Sequence, residues 1–111
     1  HDTGMVTLGH TLNLNEFELH FRAVMGLPIP AIHVEHAGAS AVVLAKEEAA
    51  HEPEYNLIDA LKEDRTRIRI FGKQQQHVNR RMGVVLCYGE INDDTTELRD
   101  KAKRLAETII K

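Results

Sequence analysis

The sequence predicts a small α+β domain, an antiparallel sheet with flanking helices, and three observations carry that expectation. Residues 66–71 alternate strictly, with Ile68 and Ile70 on one face and Arg67, Arg69 and Phe71 on the other. After a mostly polar gap, Arg81 to Tyr88 supplies a matching apolar strand. Two capped helical patterns, one opening at Asn15 and one at Asp94, lie towards the two ends of the chain. Adjacent strands near the middle, in the order β-α-β-α-β-β-α, read as α+β.

The elements follow in order. Met5 to Leu8 reads as a short strand after the turn-like Asp2-Thr3-Gly4. Asn15 is an N-cap with Glu18 three residues on, and Phe17, Phe21 and Val24 give that helix an apolar face. Gly26, Pro28 and Pro30 end it. Ala41-Val42-Val43-Leu44 reads as a buried strand, and Pro53 as the start of a short helix carrying Tyr55, Ile58 and Leu61. In the last helix Asp94 is the cap and Glu97 stands at N3, while Leu98, Ala102, Leu105 and Ile109 form the stripe. Glu97–Lys101, Asp100–Arg104 and Glu107–Lys111 are spaced as i,i+4 pairs on its solvated face.

Composition narrows the function classes. The 111 residues suit one small domain, and 42% hydrophobic with 28% charged residues is ordinary globular usage. A formal net charge of −3 argues against a general nucleic-acid binder, which needs a broad basic surface, so any anion site must be local. No apolar run approaches the ~18 residues of a membrane span. Cys87 stands alone in an apolar strand and reads as a small buried hydrophobe, so a reduced, cytoplasmic setting is expected. Position one is His1, and the first ten residues read as mid-domain sequence, as expected of a piece of a longer chain.

Lys73 follows a strand and Gly72, and Arg80 and Arg81 open the next strand. In a hairpin all three cations fall near one end of the sheet, where guanidinium forks and an ammonium suit a phosphate monoester. Consecutive strand residues point to opposite faces, so Arg80 and Arg81 share a ligand only where the backbone bends. Spacing alone favours a plainer reading, charged strand ends guarding a sheet edge. Asp2 beside Gly4 could accept hydrogen bonds from a ligand amine, although on sequence alone an Asp-initiated turn is the favoured reading. His33 and His36 invite a metal reading, but extended three-residue spacing sets them on opposite faces and no partner stands at ligand spacing. There is no Gly-rich nucleotide loop or nucleophile motif.

Several segments together resemble the C-terminal part of the formate-dependent phosphoribosylglycinamide formyltransferases, a family of ATP-grasp enzymes of purine biosynthesis. They are His1-Asp2-Thr3-Gly4-Met5-Val6-Thr7, Asn15-Glu16-Phe17-Glu18-Leu19-His20, Arg22-Ala23-Val24-Met25-Gly26-Leu27-Pro28, Ala39-Ser40-Ala41-Val42-Val43-Leu44, Arg69-Ile70-Phe71-Gly72-Lys73 and Arg80-Arg81-Met82-Gly83-Val84. The resemblance implies an enzyme that uses ATP and Mg2+ to activate formate as formyl phosphate and passes the formyl group to glycinamide ribonucleotide. It implies that Asp2 contacts that substrate and that Lys73, Arg80 and Arg81 bind its phosphate. By the same resemblance residues 1–12 are the tail end of the ATP-grasp domain and 13–111 the C-terminal α+β domain, and a homodimer is expected. The family's ATP-binding lysines and magnesium carboxylates precede this stretch, so the stretch alone is expected to be inactive.

Two local departures stand out: the loop Gln74 to Asn79 lacks the proline expected after Lys73, and Pro30 stands where the family often has glycine. The runner-up is the carboxylating relative that acts on aminoimidazole ribonucleotide. There a His is expected after Gly83 and an Asn in place of Asp2, so Val84 and Asp2 favour the formyltransferase. A non-catalytic assembly module is the alternative of another class.

Overall fold

The computed structural model describes residues 9–110, so Asp2 and the strand expected at Met5–Leu8 lie outside the described residues. Within them the order is α1 (Glu16–Met25), β1 (Ala37–Leu44), α2 (Ile58–Leu61), β2 (Thr66–Ile70), β3 (Arg81–Gly89) and α3 (Thr95–Ile109). The strands form one antiparallel sheet in the order β1-β3-β2, which with its flanking helices is the α+β fold the sequence predicts.

β3 holds the centre, with Met82 to Cys87 buried without a break. Its register sets Val85 beside Ala41 and Ile68, and Gly83 beside Val43 and Ile70. That face is closed by α3, which packs across β1 and β3. Ala102, Leu105, Ala106 and Ile109 of α3 join Val43, Val85 and Cys87 in one core cluster. Each large aliphatic side chain buried there contributes roughly 1.5–3 kcal/mol. Asp94 caps α3 by accepting from the Thr96 amide at 2.9 Å. At the other end Lys46 donates to the carbonyls of Glu107 (3.2 Å) and Ile110 (2.7 Å), satisfying orphan acceptors of the last turn.

Three details differ from the sequence reading. β1 begins at Ala37, because the small residues Ala37 to Ser40 pair with Gly89 to Leu86. No helix starts at Pro53: Tyr55 bridges to Ile110, and the Asn56 amide bonds to the Ile109 carbonyl at 2.6 Å, so the helix begins only at Ile58. Lys101 does not turn to Glu97 but reaches the Asp64 carbonyl at 2.9 Å and the Glu63 carboxylate at 3.8 Å, tying α3 to the turn before β2.

α1 forms as expected, and none of its residues is buried. The Asn15 side chain accepts from the Glu18 amide at 2.8 Å, and Gly26 ends the helix in the left-handed region at φ 68°. Its apolar face is open, with Phe17 58%, Phe21 56% and Val24 69% exposed. The arm is pinned instead by backbone bonds between residues 11–13 and 33–36, among them Asn13 N–H to His33 carbonyl at 3.1 Å and Glu35 N–H to Thr11 carbonyl at 2.6 Å.

Gly83 lets β2 lie close to β3. A Cβ there would sit 2.7 Å from the Arg69 carbonyl oxygen and 3.2 Å from the Ile70 Cδ1. Gly83→Ala is therefore expected to destabilise the fold by about 1–3 kcal/mol, read as a lowered urea midpoint with an unchanged slope.

Candidate functional site: the β2–β3 connection and the outer face of β2

The ladder runs one bond past β2, from the Phe71 amide to the Met82 carbonyl at 3.0 Å. Gly72, at φ 74°, then turns the chain out of the sheet and delivers Lys73 to the mouth of the loop. The Lys73 ammonium lies 5.6 Å from the centroid of the Phe71 ring, within cation–π range.

The loop is fastened rather than loose, although it has no proline. Gln76 and Ala49 exchange two backbone hydrogen bonds, at 2.8 and 3.1 Å. The Gln76 side chain is buried, 1% exposed, and its Nε2 donates to the His51 carbonyl at 3.2 Å. Asn79 N–H donates to the Ala45 carbonyl and Ala45 N–H to the Arg80 carbonyl, both at 2.9 Å. Polar backbone pairing with residues 45–51 supplies the order that a proline would supply by restricting φ.

The backbone is irregular on either side of the two consecutive arginines. Asn79 adopts φ 66°, in the left-handed region that Asn tolerates better than most residues. Two residues after Arg80 the register with β1 shifts: Val43 faces Gly83 and Leu44 faces Arg81, leaving Met82 as the extra residue of a β-bulge. Arg80 is half-buried and donates from Nη1 to the Gln75 carbonyl at 2.9 Å; Arg81 is exposed at the strand's first position. Lys73, Arg80 and Arg81 thus flank one connection at one end of the sheet. His77, in the same loop, is exposed and pairs with Glu48 at 3.6 Å.

The outer face of β2 carries further cations. Arg67 sits beside Leu86 and Arg69 beside Val84, on the side away from α3. They line a cleft of about 400 Å³ with His10, Asn15, Phe17 and Leu86. His10 packs against Tyr88 with ring centroids 3.9 Å apart and lies 5.5 Å from His36. Burial lowers the His10 pKa, and the charge of Arg67 and then His36 lowers it further. The alternation of residues 66–71 had marked Arg67 and Arg69 as sharing a face; what covers that face came from distant sequence and had no local signal.

Cys87 is fully buried, with Thr66 Oγ1 at 3.7 Å from its sulfur, and burial pushes its thiol pKa up. Among the described residues there is no group of three or more His, Cys, Asp or Glu that could hold a metal ion. No helix among them is long and apolar enough to cross a membrane.

With this geometry in place, the relatives are informative. In fold, the chain is similar to a solved N5-carboxyaminoimidazole ribonucleotide synthetase from Thermotoga maritima, with a TM-score of 0.79 and 22% identity, covering 99% of this chain and 30% of that one. At that identity the likeness is one of fold, to under a third of the other chain. Residues 38–109 match the protein-family model described as "PurT, C-terminal", and the chain belongs to that family. It is 59% identical over 110 residues to a formate-dependent phosphoribosylglycinamide formyltransferase of Bacteroides thetaiotaomicron, covering 98% of this chain and 28% of the relative. The corresponding enzyme of Bacteroides fragilis is 56% identical over 110 residues, with the same coverage of both chains. That of Chlorobaculum tepidum is 51% identical over 111 residues, covering 99% of this chain and 28% of the relative. The chain therefore spans a little over a quarter of the length of these relatives.

Two outcomes test the geometry. Asn79→Val, which forces a β-branched residue into the left-handed region, is expected to cost about 1–3 kcal/mol, while Asn79→Gly is tolerated; urea unfolding of both variants checks this. Cys87 is expected to react with a thiol reagent only as fast as the protein unfolds, so modification should accelerate through the denaturation transition and be slow below it.

Proposed function

We propose that this chain is the substrate-phosphate grip of an ATP-dependent enzyme that formylates glycinamide ribonucleotide with formate, through formyl phosphate. The observation that carries the reading is the 59% identity to a formyltransferase of that name, maintained along 98% of the chain. The cations at the β2–β3 connection suit a ribose phosphate in type: Arg80 and Arg81 as planar forks, Lys73 as a point charge. Asp2 would accept from a polar or amine group of the same substrate. Such groups contribute by fixing the substrate and offsetting its charge, so that the amine meets the activated formyl group in a productive pose. In this reading ATP and magnesium are held by another part of a longer protein, with residues 1–12 as the tail of its ATP-grasp domain. A cytoplasmic homodimer belongs to the same proposal.

Charge-assisted hydrogen bonds are worth roughly 1.5–3 kcal/mol, so losing Lys73 corresponds to about a 10- to 100-fold effect. In the full-length protein carrying this chain, Lys73→Ala is expected to raise the apparent KM for glycinamide ribonucleotide by that factor with a smaller change in kcat. Steady-state kinetics at saturating ATP and formate read the split; an unchanged KM would sink the assignment. Formylation that proceeds without added formate would sink the choice of one-carbon donor.

A further inference from the structure

Four observations converge on the outer face of β2. Arg67 and Arg69 project from the same face, roughly 7 Å apart along the strand, beside Leu86 and Val84. Neither forms an ion pair with another described residue. Both line a concave cleft that also offers the Asn15 amide and the His10 ring. Phe71 continues the same alternation, and Lys73 rests against its ring at 5.6 Å, so the row of cations is continuous with the mouth of the loop.

Two arginines at strand spacing on one face of a cleft repel one another, and that repulsion is relieved by water, by salt, or by an anion between them. Burial of the His10 ring, and then the charge of Arg67 and of His36, oppose its protonation. A neutral imidazole at that position can donate one hydrogen bond and accept another.

We propose that Arg67 and Arg69, with His10 and Asn15, form a second anion-binding subsite for a compact phosphate-class group, separate from the one assigned to Lys73, Arg80 and Arg81. The existence of this subsite rests on the cleft and its cations. Its natural occupant rests on the function proposed above: there the ribose phosphate fills the loop mouth, and the phosphate of the acyl phosphate is the second anion that must be held nearby. The two arginines then act as positioning residues for that group, whose charge has to be neutralised while the substrate amine approaches.

The test begins with this chain and inorganic phosphate. Titration followed by 1H–15N NMR should move the side-chain signals of Arg67 and Arg69 and the ring signals of His10. The double variant R67Q/R69Q should weaken that response at least about tenfold, and R69K, which keeps the charge, should stay within about threefold of the parent. Both side chains are exposed, so the variants should retain the parent's dispersed backbone spectrum. The inference fails if phosphate leaves Arg67, Arg69 and His10 unmoved, or if the double variant binds as tightly as the parent. Shifts confined to Lys73, Arg80 and Arg81 would remove the second subsite and leave the proposed function standing. In the full-length protein, R69Q should lower kcat and raise ATP hydrolysed per formyl group transferred, with the KM for glycinamide ribonucleotide little changed. A raised KM with intact coupling would instead place Arg69 in the ribose-phosphate grip and overturn its separate role. Binding by Arg67 and Arg69 alongside an unaltered KM in Lys73→Ala would do the reverse, keeping the subsite and removing the proposed function.

Discussion

β3 is paired along both edges and covered on both faces, so its register has one acceptable value. A slip of one residue would send Val85 and Cys87 away from α3 and turn Val84 and Leu86 towards it, reversing every side chain of the sheet's middle. That constraint fixes where β3 starts, and with it the position of Arg81 and of the bulge at Met82. The antiparallel partner inherits the same register, which sets Arg67 and Arg69 beside Leu86 and Val84 on the side that α3 leaves open. The core is thus what aims the cations, although none of them belongs to it.

The bulge and the loop show how a regular sheet yields an irregular site. A hairpin of ideal geometry would point Arg80 and Arg81 apart. One extra residue at Met82 and a left-handed Asn79 break the alternation over a few positions, and burial of Met82 makes the break part of the core. Residues 45–51 then hold the loop against the sheet through backbone bonds.

The parts of the molecule legible in the sequence are those with local causes. β2 showed itself through alternation, α1 and α3 through caps and a 3.6-residue stripe, and the β2–β3 pair through adjacency. The start of β1 was hidden because Ala37-Gly38-Ala39-Ser40 has little strand character of its own and is recruited by β3. The extended stretch at Tyr55 and Asn56 was hidden for a related reason: its partners are Ile109 and Ile110, over fifty residues away. Gln76 reads as a loop residue in any local window, yet it is buried against the His51 carbonyl. In the candidate site, Lys73, Arg80 and Arg81 stood out by spacing and resemblance. The cleft around Arg67 and Arg69 needed His10 and Asn15, which only the fold brings there.

Lys46 carries a consequence of its own. Its ammonium holds the last carbonyls of α3, and its neighbour Ala45 is bonded to both Asn79 and Arg80 in the cationic loop. The end of the helix and the loop are therefore two ends of one short lever of hydrogen bonds. Strain at either end is felt at the other: fraying of the C-terminal turn of α3 would loosen the loop's hold on residues 45–46. The chain's far end acts as a tensioner for the place where charge is gathered.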